Sequence, residues 1–163
     1  MMKPDLEETF QTLVEAHKRI LYKVCNLYCR DRNSREDLAQ EIMIQLWRAF
    51  GKFDGRRRFS TWMYRISLNV AISFYRRESS RARYVSSDEQ RLLQTVAETE
   101  SEPEAIRLLY GLIDTLDPFN KALILLYLDE NSYQEIAEVL GISETNVATK
   151  INRLKNRMRQ ELS

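Results

Sequence analysis

The stretch that decides the fold is Ser132-Tyr133-Gln134-Glu135-Ile136-Ala137-Glu138-Val139-Leu140-Gly141-Ile142-Ser143-Glu144-Thr145-Asn146-Val147. Ser132 followed three positions later by Glu135 predicts a capping box at the start of a helix. Gly141 supplies the positive φ that ends this helix, and Ser143 is placed to cap the next one. The stretch therefore predicts a helix, a tight turn and a second helix, in the spacing of a DNA-binding helix-turn-helix.

Apolar periodicity predicts how these two helices pack. Ala137 keeps the packing face small, so that the second helix can cross closely. The predicted shared core consists of Ile136, Leu140, Ile142, Val147, Ile151 and Leu154, with Met158 on the same face. The residues predicted outward on the second helix are Thr145, Thr149, Asn152, Arg153 and Asn156, flanked by Asn146, Lys150 and Arg157. Short polar and basic side chains are what base edges and phosphates require, although a solvated αα-hairpin is the alternative interpretation.

Helical periodicity also fills the first half of the chain. Apolar residues at three- and four-residue steps predict one helix over residues 5–30. Ser34 with Asp37 predicts the N-cap of a second helix that runs to about Phe50 and is ended by Gly51.

The next segment, residues 52–58, is a basic loop. Ser60 or Thr61 is predicted to cap a third helix that runs to about Arg77. The polar and acidic residues 78–102 then predict a linker, with a short helix around Leu92.

Four further helices are predicted within residues 103–163. Pro103 suits a first helical position, and Asp117 before Pro118 predicts a cap followed by a helix start. The predicted fold class is therefore all-α, with two small domains of three and four helices joined by a polar linker.

The composition supports this fold class and narrows the function. Apolar residues are 44% and charged residues 30% of the 163 positions, which is the globular range. Four glycines and three prolines are too few for the many tight turns of an all-β architecture. No apolar run approaches the roughly 20 residues that cross a bilayer, and the acidic start MMKPDLEETF is unlike a secretory signal. We expect a cytoplasmic protein.

Charge is unevenly distributed, although the net charge is only +1. Residues 51–84 hold nine Lys or Arg against two Asp or Glu, and the last 21 residues hold five against two. Clustered basic residues are typical of a protein that binds a polyanion.

Two faces in the first half carry further signals. In the second predicted helix Leu38, Ile42, Leu46 and Ala49 form the inward face. Ile44 is the apolar centre of an otherwise polar face, which favours a partner surface, although a single exposed isoleucine is also common. The third predicted helix turns Met63, Ile66, Val70 and Phe74 inward and aligns Trp62, Arg65, Asn69, Ser73 and Arg76 on a neighbouring face. An aromatic ring beside arginines and an amide can hold single-stranded nucleic acid, but Trp62 is equally explained as a core residue.

His17, Cys25 and Cys29 do not form a metal site by spacing. Zinc takes about four ligands, and His17 lies two helical turns from Cys25 and is rotated away from it. A disulfide between Cys25 and Cys29 within a regular helix would be strained. We predict structural thiols, a packing histidine, no bound metal and no cofactor.

Three motifs follow one another along nearly the whole chain: Asp37-Leu38-Ala39-Gln40-Glu41, then Phe59-Ser60-Thr61-Trp62-Met63-Tyr64-Arg65-Ile66 with Asn69, then the helix-turn-helix from Tyr133 to Leu154. In this order they resemble the bacterial RNA polymerase sigma factors of the extracytoplasmic-function group of the sigma-70 family. The resemblance implies a sigma region 2 domain over residues 1–80, a linker over 81–103 and a sigma region 4 domain over 104–163. It also implies that the protein directs core RNA polymerase to promoters and has no catalytic residues.

The resemblance assigns roles by position. The face that would dock on core polymerase consists of Asp37, Gln40, Glu41, Ile44 and Arg48. The minus-10 set consists of Phe53, Arg56, Arg57, Arg58, Trp62, Arg65, Asn69 and Arg76, of which the loop and Asn69 would hold a flipped base and Trp62 and Arg65 would support strand separation. The minus-35 set consists of Thr145, Asn146, Thr149, Lys150 and Arg153. The implied partners are core RNA polymerase, promoter DNA and an anti-sigma factor, membrane-bound or soluble, with no small-molecule substrate.

The distance between the two promoter elements indicates that the two domains need a scaffold to hold them apart. Two DNA elements two helical turns apart are separated by roughly 70 Å. A linker of residues 78–102 reaches about 80 to 90 Å when extended, but averages only about 25 to 30 Å as a free coil. We therefore expect polymerase to hold the domains at the required separation.

Two other classes of function are open at this point. A stand-alone helix-turn-helix regulator with a helical sensing domain explains residues 104–163 but not the basic loop or the Trp62 face. An enzyme such as a recombinase needs a supported nucleophile or metal-binding carboxylates, and the sequence offers no such constellation.

Overall fold

Eight helices fill the part of the chain that the structure, a computed structural model, describes: residues 5–82 and 103–162. In chain order they are α1 (Leu6–Ala16), α2 (Lys18–Tyr28), α3 (Arg32–Phe50), α4 (Phe59–Ala82), α5 (Glu104–Asp114), α6 (Pro118–Leu128), α7 (Tyr133–Leu140) and α8 (Glu144–Leu162). No strand occurs in these two ranges, and none of their helices is long and apolar enough to cross a membrane. The chain divides into two compact units, residues 1–74 and 75–163. The prediction of an all-α fold in two helical domains is confirmed.

The first predicted helix is in fact two helices, because the chain breaks at His17. Its backbone N–H is shared between the carbonyls of Leu13 and Val14, at 3.2 and 3.0 Å. Its ring Nδ1 donates to the Leu13 carbonyl at 2.8 Å, which competes with the regular helical bond. The ring also packs on Phe59, with centroids 5.0 Å apart. His17 is therefore a packing residue, as predicted, and it ends α1.

The start predicted for the next helix is three residues too late. Asp31 is the N-cap of α3, since its Oδ2 accepts the backbone N–H of Ser34 at 3.0 Å. Partial burial raises the pKa of the Asp31 carboxyl, but the hydrogen bonds from Ser34 outweigh it and hold the pKa below its ordinary value. The helix ends at Phe50 before Gly51, as predicted.

Helix α4 is longer than predicted at both ends. It begins at Phe59, so Ser60 and Thr61 are helical residues rather than caps, and Thr61 is buried. It continues past Arg77 to Ala82, because no glycine or proline interrupts this stretch. The predicted linker therefore begins as helix, and its remainder, with the short helix predicted around Leu92, lies outside the described residues.

The core of the first unit is formed by α2, α3 and α4. The side chains with at most 1% exposure are Val24, Leu38, Ile42, Leu46, Met63, Tyr64, Ser67, Leu68 and Ala71. The inward face predicted for α3 is confirmed at its first three positions, while Ala49 is half-buried. On α4 Met63 and Phe74 are buried as predicted, but Ile66 and Val70 are only half-buried. Ser67 and Ala71 take inward positions instead, and both are fully buried.

Helices α5 to α8 are the four helices predicted for residues 103–163. Helix α6 is the most buried of them, with Ala122, Leu123 and Leu126 fully buried. It begins at Pro118 as predicted, although the Asp117 carboxylate accepts from the Asn120 side chain and makes no backbone cap bond. Helix α5 begins one residue after Pro103, which is the N-cap.

The helix-turn-helix has the predicted local geometry. Ser132 and Glu135 form the capping box, Gly141 is left-handed at φ 71°, and the Ser143 hydroxyl accepts the backbone N–H of Asn146 at 3.1 Å. The predicted core residues that are buried are Ile136, Val147, Ile151 and Leu154, while Leu140, Ile142 and Met158 are half-buried. Val139, which was not predicted, is buried as well.

Two left-handed residues give a matched test of backbone strain. Gly141 has φ 71°, and a Cβ built there meets nothing within 4 Å, so Gly141→Ala adds only conformational strain. Glu130, in the turn after α6, is a non-glycine residue at φ 62°. We expect Gly141→Ala to lower, and Glu130→Gly to raise, the free energy of unfolding by about 1 kcal/mol each. Urea denaturation of the two variants measures both changes, and shifts of the same sign would contradict this account.

Burial of the two thiols predicts their reactivity. Cys25 and Cys29 are both buried and outside any disulfide, and burial raises the pKa of the Cys25 thiol to about 11. Because the folded pKa exceeds the unfolded value, the thiol's stabilising contribution is complete below about pH 9 and is lost as the pH rises to about 11. We expect a disulfide reagent such as DTNB at pH 8 to modify neither thiol in the folded protein. Addition of urea should then expose both thiols to the reagent. Fast modification without urea would contradict the prediction.

Candidate nucleic-acid and protein interfaces

The polar face predicted on α3 is present at the surface. Asp37, Gln40, Ile44 and Arg48 are exposed, and Glu41 is half-buried. Ile44 is 49% exposed. Because residues three and four apart share a helix face, these side chains form one continuous surface.

Trp47, which sequence reasoning missed, adds a second apolar side chain to this surface. It lies three residues after Ile44 and is 44% exposed. Its ring rests on that of Phe10, with centroids 5.1 Å apart. The spacing from Ile44 was the signal that could have identified it. Together Ile44, Trp47 and the polar residues around them have the composition of a protein interface, with apolar anchors inside a polar rim. We call this surface the α3 face.

A cluster of four aromatic rings holds Trp62 at the start of α4. The Trp62 ring lies 5.2 Å from Phe53, 5.3 Å from Phe59 and 6.1 Å from Phe50, measured between centroids. Trp62 is nevertheless half-buried, so part of its ring reaches solvent. The ring is therefore packed on one side, as the core interpretation predicts, and open to solvent on the other, as stacking on a base would require. Phe53, predicted as a nucleic-acid contact, is half-buried and belongs to the same cluster.

The remaining residues of the Trp62 face are exposed along α4. They are Arg65, Asn69, Ser73 and Arg76. Their spacing of three or four residues places them in one row beginning at Trp62. A row that starts with a partly exposed ring and continues with two guanidinium groups and an amide can stack a base and bind phosphates.

The basic loop before α4 has a defined turn. The Asp54 Oδ1 accepts the backbone N–H of Arg56 at 3.0 Å, and Gly55 between them is left-handed at φ 77°. Arg56, Arg57 and Arg58 are all exposed. The loop thus presents three arginines between Phe53 and Phe59 of the aromatic cluster.

The outward face of α8 carries most of the predicted minus-35 set. Thr145, Asn146, Thr149 and Arg153 are exposed. Lys150 differs, because it is half-buried and its ammonium lies over the Phe119 ring, 5.4 Å from the centroid. The structure therefore brings the four exposed residues together and turns the lysine partly back toward α6.

A second lysine of α8 is held in the same way. The Lys155 ammonium lies 4.6 Å from the centroid of the Tyr127 ring. A hydrogen bond with Tyr127 raises the pKa of Lys155 above its ordinary value. Lys155 therefore makes contacts within its own unit, in contrast to the outward Arg153.

Metal-ligand clusters are absent from the described ranges. Neither residues 5–82 nor residues 103–162 contain a group of three or more His, Cys, Asp or Glu side chains placed to hold a metal ion. The chemistry that the described surfaces offer is recognition by stacking, hydrogen bonding and charge.

Two family models match the chain in the order of the two domains predicted from its sequence. Residues 13–81 match Sigma-70 region 2, and residues 106–158 match Sigma-70, region 4.

Two solved structures share the fold. One is the structure of CnrH in complex with the cytosolic domain of CnrY, with a TM-score of 0.68 and 23% identity over 96% of this chain and 88% of that one. The other is the sigma factor RpoE in complex with the anti-sigma factor NepR from Bartonella quintana, with a TM-score of 0.63 and 18% identity over 98% of both chains.

Curated relatives extend the likeness over most of the sequence. The chain is 31% identical over 159 residues to the ECF RNA polymerase sigma factor SigX of Bacillus subtilis (strain 168), covering 91% of this chain and 80% of SigX. It is 27% identical over 168 residues to SigW of the same organism, covering 96% of this chain and 90% of SigW. The chain therefore belongs to the extracytoplasmic-function sigma factors of the sigma-70 family, the transcription initiation factors that direct RNA polymerase to promoters.

Proposed function

We propose that the two domains of this sigma factor bind different parts of the transcription complex and that their boundaries are those predicted from the sequence. Residues 1–80 would bind core polymerase and the minus-10 element, residues 81–103 would connect the halves, and residues 104–163 would bind the minus-35 element. The positions of the two family matches, 13–81 and 106–158, support these boundaries.

The α3 face is the proposed docking surface for core polymerase. The observation that carries this assignment is the exposure of Ile44 and Trp47, at 49% and 44%, one helical turn apart. Apolar side chains placed at the centre of a polar rim account for most of the binding energy in many interfaces. Asp37, Gln40 and Arg48 around them would set orientation through hydrogen bonds and charge.

The Trp62 face and the preceding loop are proposed to hold the minus-10 region after the strands separate. The partly exposed Trp62 ring gives one base a stacking surface, since base stacking on aromatic side chains tolerates any sequence. Arg65 and Arg76 would bind phosphates of the same strand, and Asn69 with the loop would hold a flipped base. Phe53 contributes by packing, because its ring lies within the aromatic cluster.

The outward face of α8 is proposed to enter the major groove at the minus-35 element. Thr145, Asn146 and Thr149 can hydrogen-bond to base edges, and Arg153 can bind a guanine or a phosphate. The positive end of the α8 dipole, at Glu144, lies at the same end of the helix as these short polar residues. The arrangement is that of a helix-turn-helix whose second helix reads DNA by its N-terminal residues.

The protein is proposed to act without catalytic residues of its own. It would position DNA and leave phosphodiester chemistry to the polymerase, in the cytoplasm and without a cofactor. The exposed groups on the α3 face, the Trp62 face and α8 are recognition groups and include no nucleophile paired with a base.

An anti-sigma factor is proposed as a further partner. The two solved structures of this fold hold CnrH with the cytosolic domain of CnrY and RpoE with the anti-sigma factor NepR. The same kind of partner is proposed for this chain.

Polymerase docking is tested by a charge placed on the α3 face. Ile44→Glu puts a carboxylate at the proposed apolar anchor, so we expect binding to bacterial core polymerase to weaken by about 30-fold or more. Co-elution of the purified chain with core polymerase on a sizing column detects the complex. Tyr22→Glu is the matched control, because Tyr22 is 59% exposed on a different helix, α2, and we expect this variant to leave the complex intact.

The outcome also distinguishes a polymerase-binding factor from a stand-alone regulator. Equal loss with both variants would contradict the docking assignment. If the unaltered chain binds promoter DNA tightly but no polymerase, the stand-alone regulator is favoured instead.

Minus-35 recognition is tested by removing two cationic side chains of α8, one in each variant. Arg153→Gln removes an outward cation, and Lys155→Gln removes one held over Tyr127. We expect Arg153→Gln to weaken holoenzyme binding to an active promoter by about 10-fold and Lys155→Gln by less than about 3-fold. Gel shifts over a range of salt concentrations measure both variants. A loss at Lys155 as large as that at Arg153 would contradict the assignment.

A further inference from the structure

We propose that Asp54 lowers the affinity of the basic loop for nucleic acid, because its carboxylate holds Arg56 until a nucleic-acid phosphate displaces it. The inference rests on the proposed minus-10 role of this loop. It adds a negative group that lowers affinity for nucleic acid to a surface otherwise described by its positive charges.

Asp54 shapes the loop through its first carboxylate oxygen. The Oδ1 accepts the backbone N–H of Arg56 at 3.0 Å, closing a turn over Gly55 at φ 77°. Asp and Asn side chains both make this kind of turn with the backbone two residues on. An asparagine at position 54 would therefore keep the turn and remove only the charge.

The second carboxylate oxygen pairs with the arginine side chain. The Arg56 Nε lies 3.5 Å from the Asp54 Oδ2, and the two side chains are 88% and 60% exposed. Such an exposed pair is weak, so a phosphate, which can bind a guanidinium through two hydrogen bonds, is able to displace the carboxylate. The pair therefore lowers the affinity of Arg56 for any phosphate without abolishing binding.

The loop is fixed at both ends, so this competition takes place in a preformed structure. On one side the Phe53 ring packs against Phe59 and Trp62, with centroids 5.6 and 5.2 Å apart. On the other side Phe59 is buried as the first residue of α4. Both ends of the loop that carries Arg56 are thus anchored in the aromatic cluster that includes Trp62.

The Asp54 carboxylate lies in a strongly basic segment of the chain. Residues 51–84 hold nine basic residues and only two acidic ones, of which Asp54 is one. Such a surface attracts any polyanion regardless of sequence. A carboxylate that competes for Arg56 weakens this attraction for every strand alike, so its effect is on affinity.

The experiment compares Asp54→Asn with the unaltered full-length chain. The probe is a fluorescent single-stranded oligothymidine of 12 nucleotides, titrated at several salt concentrations. We expect Asp54→Asn to bind about 3-fold to 10-fold more tightly. The dependence of log affinity on log salt should stay nearly the same, because Arg56 contacts a phosphate in both proteins and only the competing carboxylate is removed.

Three controls separate the pair from a general charge effect. Glu36→Gln removes the carboxylate of an equally exposed pair with Arg32 on α3, 88% and 60% exposed, and should leave binding within 2-fold. In an Arg56→Gln background, Asp54→Asn should change affinity by less than 2-fold, because its effect depends on Arg56. Asp54→Ala, which loses the turn as well as the charge, should bind more weakly than Asp54→Asn.

The outcomes distinguish this inference from the function on which it rests. If Arg56→Gln weakens binding but Asp54→Asn does not change it, or changes it equally in both backgrounds, the inference about Asp54 is wrong and the minus-10 assignment stands. If Arg56→Gln binds as tightly as the unaltered chain, the assignment of Arg56 is wrong and the inference fails with it.

Discussion

The packing of four aromatic rings, Phe50, Phe53, Phe59 and Trp62, is the interaction on which the rest of the first unit depends. These rings come from the end of α3, the basic loop and the start of α4, and adjacent centroids lie 5.2 to 6.1 Å apart. Aromatic rings at such distances contribute both buried area and a preferred geometry. Without them the loop would have no fixed position relative to α4, and neither its arginines nor the Trp62 ring could form a surface of constant shape.

The second unit depends on a different constraint, the burial of α6. Ala122, Leu123 and Leu126 are fully buried, so the other helices of that unit are placed by packing around it. Helix α8 is positioned by Val147, Ile151 and Leu154, which face inward, and by the left-handed turn at Gly141. One face of α8 therefore belongs to the core, and the opposite face, proposed to contact DNA, is exposed.

Local signals in the sequence predicted the second unit better than the first. The capping box, the glycine and the serine cap of the helix-turn-helix act within a few residues, so their geometry follows from the amino acids alone. The break at His17 could not be predicted in that way, because it depends on a side-chain bond to Leu13 and on a ring from α4. The true cap of α3 was missed because Ser34, with acidic Asp37 after it, resembles a cap as closely as Asp31 does.

The candidate site residues were likewise predictable where the signal was local, and were missed where it depended on tertiary packing. Exposure of Ile44 followed from its position among polar neighbours on one helix face. Trp47 was missed because tryptophan is usually assigned to the core, and only the packed structure shows its partial exposure. The dual position of Trp62, packed on one side and open on the other, likewise required knowledge of Phe53 and Phe59. Pairing between Asp54 and Arg56 depends on a turn that a count of charges does not show.

The placement of Lys150 over Phe119 has a consequence for the entropy of DNA binding. A free lysine side chain samples many rotamers, and holding it at a phosphate costs up to about 2 kcal/mol of conformational entropy. Contact with the Phe119 ring, 5.4 Å from the ammonium, restricts those rotamers before any DNA arrives. Part of the ordering cost of the proposed contact between Lys150 and a phosphate would therefore be met during folding, through the Phe119 ring.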